Sequence, residues 1–440
     1  MTSLPSKAET FIFGSLLITF LWLPIPLASN RDWSAMLLCV IVATLCVAWL
    51  ISYMLGKVKL SYCFKKSKYI LFLLAFSQAY IAYQYIYSTS IDPESTLKEL
   101  LLGISFCLIF CLCLLLINSS ERIKTCLYII VVSGVFQAVY GSLMTLSGTE
   151  YTFLIPKEGY FDVATGTFIN RNSYASYLVI CLSLGIGLML AGLQPDTSNF
   201  REFVRRLLSA ILSKKIILRL SLVIMVAALV MTHSRMGNTS FFVSMGVIGL
   251  LTILLRKRSP RATLLLLTSL IIIDIAVIGT FFGVEKVINR LESTSLQSET
   301  RDEVDQYTLE LIEKNLLFGT GAGTFHTAFP QVRQKESGKS YYDHAHNDYL
   351  QFLSERGLIG FIPLLLCVVI TFGIALSALK KRNNPLMRGC AFGCLMSMLA
   401  MSIHATVDFN LQMPANGATF MLVLALGWIA RYMPRGKEKS

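Results

Sequence analysis

The feature that most constrains this chain is a repetition. Apolar runs of about 20 residues return along its whole length, each long enough to cross about 30 Å of hydrocarbon. Backbone polar groups inside a bilayer must be satisfied within their own segment, so these runs have to be helices. Composition agrees: of 440 residues, 54% are hydrophobic and only 15% charged, with a mean hydropathy of +0.62. The expected fold is an all-α polytopic membrane protein with about twelve spans, at roughly 10–28, 34–54, 69–87, 98–118, 125–147, 173–194, 216–233, 239–256, 262–282, 357–379, 388–407 and 415–433. The first run lacks a small-residue cleavage site and leads into "LPIPLASNRDW". It is read as a retained helix with a Pro-kinked end and not as a signal peptide.

Charge asymmetry sets the orientation. One set of alternate loops holds "GKVKLSYCFKKSK", "ERIK", "RKRSPR" and "KKRNN", matched by the tail "RGKEK". The other set, which includes the long 283–356 segment, mixes both signs. The positive-inside rule then puts both termini in the cytoplasm and the long loops outside. The net charge of +13 belongs largely to the cytoplasmic loops. It reads as a topology signal and a contact with anionic lipid, and no nucleic-acid module is visible. All eleven cysteines fall in spans or at their cytoplasmic ends, as small apolar packing residues would.

The five histidines, His233, His326, His344, His346 and His404, all map to the outer face. The densest titratable cluster is "YYDHAHNDYLQFLSERGLIG", residues 341–360, at the mouth of an apolar run. No ATP is available on that face, so a bond-forming reaction there needs a donor that arrives already activated. Asp348 and Gln351 have the spacing of a capping box, which would start a helix at Asp348. His346 would then precede a helix N-terminus, where the positive end of the dipole favours an anion and keeps an imidazole neutral. A neutral histidine can take a proton from an incoming hydroxyl. Glu355 could orient a substrate or pair with Arg356, and His344 reads more simply as a loop residue. Asp343, His344 and His346 are possible metal ligands, but no second cluster with ligand spacing supports them, so no metal is expected. Arg171 in "FINRNSYASYL", Arg235 in "MTHSRMGN" and Arg301 after "SLQSET" lie near the outer surface. Converging guanidinium groups would hold a diphosphate bidentately without a metal. Snorkelling or a loop ion pair is the plain alternative for Arg171 and Arg301. "FGTGAGTF", residues 318–325, lacks the strand and Lys-Ser/Thr of a phosphate loop and reads as a flexible turn.

Taken together, "HNDYLQFLSERGLIG" after a long outer loop, the upstream "GTGAGTF", "SR-x-G" at a mid-chain turn and "TFINRNSYASYL" resemble the O-antigen ligase and O-antigen polymerase superfamily, over roughly residues 160–410. The resemblance implies a helical glycosyltransferase of the C superfold in the bacterial inner membrane, with its active site facing the periplasm. It would move a glycan from undecaprenyl diphosphate to an acceptor, with neither metal nor cofactor. The family's catalytic histidine falls on His346, within a motif that continues through Asn347. Its diphosphate-binding arginines fall on Arg235 and Arg301, with Arg171 a looser match. The expected division is an N-terminal helical part over 1–160, a catalytic region over 161–433 whose periplasmic loop contains short helices, and a cytoplasmic tail over 434–440. The reading leans to a ligase that uses a lipid A–core hydroxyl, with a polymerase that uses a second lipid-linked glycan as its rival. A transporter of lipid-linked sugars would need charge along a membrane path, and apart from Arg219 and Asp274 the spans carry almost none.

Overall fold

The computed structural model describes residues 6–192, 215–255, 295–333 and 342–434. Fourteen helices are present among them: α1 (Lys7–Trp22), α2 (Asp32–Met54), α3 (Tyr62–Lys66), α4 (Lys68–Ile86), α5 (Pro93–Leu116), α6 (Ser120–Ser147), α7 (Arg171–Ala191), α8 (Lys215–Met231), α9 (Arg235–Leu254), α10 (Ser295–Lys314), α11 (Phe325–Ala328), α12 (Asp348–Lys381), α13 (Pro385–His404) and α14 (Pro414–Tyr432). A two-stranded hairpin, β1 (Tyr151–Thr152) and β2 (Ile155–Pro156), lies in the loop before α7. Eight of the helices, α2, α4, α5, α6, α7, α9, α12 and α13, have the length and apolar composition to cross a membrane. The expected span at 262–282 and the tail from 435 lie outside the described residues.

Local chemistry explains where the helices begin and end. Ser6, Ser61, Asp92, Ser119, Ser234 and Asn384 each accept a backbone N–H from the first turn that follows. Pro93, Pro385 and Pro414 occupy the first turn, where a missing N–H costs nothing. The Pro24–Pro26 pair stops α1 at Trp22, earlier than the kinked end expected near residue 28.

Hydrophobicity alone does not say which helices are central, but burial does. In α7, 89% of the apolar window is buried, against 33% in α2 and α4 and 28% in α12, so α7 sits inside and the others form the wall. The centre is close-packed through small residues. A Cβ on Gly187 of α7 would lie 2.3 Å from the carbonyl of Gly389 in α13, so only glycine allows the two backbones to approach this far. The wall helices expose large apolar side chains such as Val40, Met54 and Phe72, the surface that hydrocarbon requires and water would penalise.

Contacts between helix ends put the N-termini of α7, α9, α12 and α14 at one end of the bundle. Ser176 in α7 hydrogen-bonds His404 at the end of α13 at 2.7 Å, and Ala405 just beyond accepts the Asp348 N–H of α12 at 2.9 Å. Asn416 of α14 donates to the Ser173 carbonyl, and Gly237 of α9 packs against Ala175. His346, His404, Arg171 and Arg235 all stand at this end.

Candidate active site

α12 begins at Asp348, nine residues before the expected span, and its backbone breaks at Gly357, where φ is 57° and ψ is −176°. The broken turn is repaired by the segment that precedes α11. Leu358 N–H donates to Leu316, Gly321 N–H to Glu355, and Thr320 N–H to Ser354. A Cβ on Gly319 would fall 2.3 Å from the Glu355 carbonyl, and one on Gly357 would fall 2.3 Å from the Leu317 carbonyl. The 318–325 stretch is therefore no flexible turn. It satisfies the polar groups that the break in α12 exposes, as buried backbone must.

Asn347, and not Asp348, is the N-cap: its side chain accepts from Tyr349 N–H at 3.2 Å and Leu350 N–H at 3.3 Å. Gln351 still closes a loop in the manner of a capping box, accepting Ala345 N–H at 3.0 Å. Gln351 in turn donates to Glu355 at 3.0 Å, and Glu355 also accepts Gly323 N–H at 3.0 Å. Glu355 is 0% exposed and Arg356 is 3.3 Å away. Of the two readings of Glu355, the structure shows the pairing with Arg356: the carboxylate faces inward and braces the histidine segment through Gln351.

His346 sits one residue before the cap with φ at 52°, a left-handed conformation that costs a non-glycine residue on the order of 1–2 kcal/mol. Its surroundings hold it there. The ring packs edge-on against Phe409 at 4.9 Å, and Nδ1 lies 3.4 Å from the Asp408 carboxylate, with the side chain 25% exposed. Asp408 itself is buried. Burial pushes its pKa up, but the His346 contact, the nearby charge of His404 and the Phe409 N–H outweigh that and hold it below the ordinary carboxylate value. Asp348 joins the same corner, donating its N–H to the Asp408 carbonyl and accepting Leu411 N–H at 3.0 Å. His344 stacks flat on Phe409 at 4.1 Å, and its Nδ1 is 3.2 Å from the Gln351 amide. Burial pushes its pKa down, which favours the neutral ring. Among the described residues, no three His, Cys, Asp or Glu side chains gather as ligands of one metal ion.

The arginines are distributed around this end. Arg235 is the first residue of α9, exposed, directly after the Ser234 cap and the left-handed His233. Arg171 is the first residue of α7, with its guanidinium 5.7 Å from the Tyr160 ring centre. Both therefore stand at helix N-termini on the His346 end. Arg301 belongs to α10, one turn before Val304, and its side chain lies outside the described residues. Val304 packs in one apolar cluster with Phe325, Phe329 and Ala345, so α10 is docked beside the histidine segment.

Sequence reasoning missed Asp408 and Phe409. The available signal was "HATVDFN", a histidine and an aspartate four residues apart at the outer end of a span.

A family model described as O-antigen ligase matches residues 220–365. The match runs from α8 to the first half of α12 and includes Arg235, Arg301, His344, His346, Asn347 and Glu355, while Arg171 and Asp408 lie outside it. It supports the O-antigen ligase superfamily for this chain, and with it a membrane enzyme of the kind that transfers glycans as ligases and polymerases do. No curated protein matches the chain.

Proposed function

We propose that the protein is a ligase that transfers a glycan from undecaprenyl diphosphate to a sugar hydroxyl of lipid A–core, on the periplasmic face of the bacterial inner membrane. His346 takes the proton of the acceptor hydroxyl at Nε2. Asp408, on the opposite nitrogen, orients the ring and stabilises the imidazolium that forms. The hydroxyl oxygen attacks the anomeric carbon while the bond to the donor diphosphate breaks. Arg235 and Arg301, with Arg171, bind the diphosphate and stabilise the charge that grows on it as it leaves. His346 then returns its proton to solvent or to the diphosphate. Asn347 contributes as the cap that fixes the segment, and His344 as the ring stacked on Phe409. The roles of these residues, the donor lipid, the reaction without metal or cofactor and the periplasmic side are all part of this proposal.

The observation that carries the reading is the His346–Asp408 contact at 3.4 Å at a part-open helix N-terminus. It combines a proton acceptor, a buried carboxylate partner and a place for an anion. The test is purified protein with a defined undecaprenyl-diphosphate glycan, offered lipid A–core or a second donor molecule. A product on lipid A–core is expected, and elongation of the second donor instead would make the protein a polymerase. Cysteine at Gln331 should react with an impermeant thiol reagent in spheroplasts while cysteine at Lys57 should not, and the reverse pattern would turn the topology over.

A further inference from the structure

An apolar cavity between α4, α5, α12 and α14 has a polar end that the proposed chemistry leaves unused. Its volume is about 140 Å³, and it is walled by residues such as Leu102, Phe106, Val368 and Leu424. Its lining includes Leu411 and Gln412, which lie two and three residues after Phe409 of the Asp408–Phe409 pair that holds His346. Two buried polar atoms of its lining have no hydrogen-bond partner among the described residues, Arg356 Nε and Gln78 Oε1, while the Gln412 amide is turned to the Asp348 carboxylate. Arg356 is only 5% exposed. Such orphans in an otherwise apolar wall specify what would complement it.

One donor and one acceptor are on offer. Arg356 already faces Glu99 at 3.2 Å and Glu355 at 3.3 Å, so no net positive charge is left for a free anion. A neutral carbonyl suits Arg356 Nε–H. Gln78 lies deeper, since its neighbour Ser77 donates to the carbonyl of Gly360, one turn below Arg356. Its oxygen asks for a hydroxyl further down the chain, and most of the remaining lining is hydrocarbon. We infer that this cavity binds one 3-hydroxyacyl chain of a glycolipid, with the ester or amide carbonyl at Arg356, the hydroxyl at Gln78 and the alkyl tail beyond. Resting on the function proposed above, this makes the site a holder for the acceptor's lipid part, beside the residues that would act on its sugar.

The test uses the full chain in lipid nanodiscs and a glucosamine carrying one 3-hydroxyacyl amide with a diazirine near the chain end. A second probe is identical but lacks the hydroxyl. Photolabelling, mapped by mass spectrometry, requires no glycan transfer, so it can fail while the transfer assay succeeds, or the reverse. The expected result is labelling of α5 near Phe106 and α14 near Leu424, at least fivefold stronger with the hydroxylated probe. Gln78→Leu should remove that preference while leaving transfer from the donor to a lipid-free core oligosaccharide unchanged. Equal labelling by both probes would overturn the inference. So would labelling confined to outward-facing residues such as Ile362 and Val369.

Discussion

Two carboxylate contacts, at opposite ends of the bundle, are built on different principles. Arg122 and Glu9 meet at 2.6 Å where α6 and α1 begin, and the same guanidinium nitrogen also reaches the Leu116 carbonyl at 2.7 Å and Asn118 at 3.4 Å. The Phe13 ring covers it at 4.9 Å, and neither side chain exceeds 13% exposure. His346 and Asp408 meet at 3.4 Å, with Asp408 at 1% exposure and His346 at 25%. The first pair is closed on itself and ties two helices together. The second has one buried partner and one open one, on a strained backbone, so it keeps a nitrogen for something else. A short distance between two buried partners indicates structure, while a long contact with one exposed face indicates chemistry.

The sharpest break of this comparison is to remove the base. His346→Ala should lower glycan transfer by about 10²–10⁴-fold, the range that general base catalysis supplies, while the thermal unfolding midpoint stays near wild type. Arg122→Met should do the opposite, because removing one member of a buried pair strands its partner at a cost of about 3–5 kcal/mol. Its unfolding midpoint should drop clearly, and the protein that remains folded should keep its turnover. Transfer at wild-type rate by His346→Ala would end the assignment.

Asp408→Asn is expected to have a smaller effect. It keeps shape and burial but removes the charge that supports the imidazolium. A charge-assisted bond contributes about 1.5–3 kcal/mol, so kcat should fall about tenfold to a hundredfold with little change in the KM for donor. Unchanged kcat would mean that Asp408 only packs against the ring.

Much of this was legible in the chain and some was not, for physical reasons. Hydropathy located α2, α4 and α6 closely, because a bilayer-crossing helix has to be apolar along its length. It placed the start of α12 too late, because residues 348–356 are polar and their burial comes from the distant 316–325 segment. The motif around His346 could be read locally as a helix start. Asp408 could not, because a lone aspartate at the end of a span looks like any loop residue. Its meaning arises only when the α13–α14 connection folds onto the start of α12, as in the Asp348–Leu411 bond across 63 positions.

Arg235→Lys should be milder again. If the guanidinium grips a diphosphate with two parallel bonds, an ammonium replaces the charge but not the fork. The KM for the lipid-linked donor should rise about tenfold, equivalent to one bond of about 1.5 kcal/mol, with a smaller change in kcat. Wild-type kinetics would make Arg235 a membrane-surface anchor, since lysine snorkels equally well.

The smallest effect concerns pH and separates the two histidines that pack on Phe409. Burial holds the His344 pKa below its ordinary value of 6.5. A group whose pKa is depressed on folding stabilises the native state above the unfolded value. That stability is lost as pH falls through the imidazole range, because the unfolded chain then binds the proton more readily. Asp408 is depressed as well, but from 3.8, so its contribution disappears only in much stronger acid. Between pH 7 and 5 the loss should therefore trace to His344, with a slope of at most one proton, or about 1.4 kcal/mol per pH unit. His344→Phe keeps an aromatic ring on Phe409 but cannot titrate. Its unfolding midpoint should be flatter across that range than wild type, while transfer at pH 7 stays within a few fold. A wild-type slope in His344→Phe would place the titration elsewhere, and a loss of transfer as deep as in His346→Ala would give both histidines a part in the chemistry.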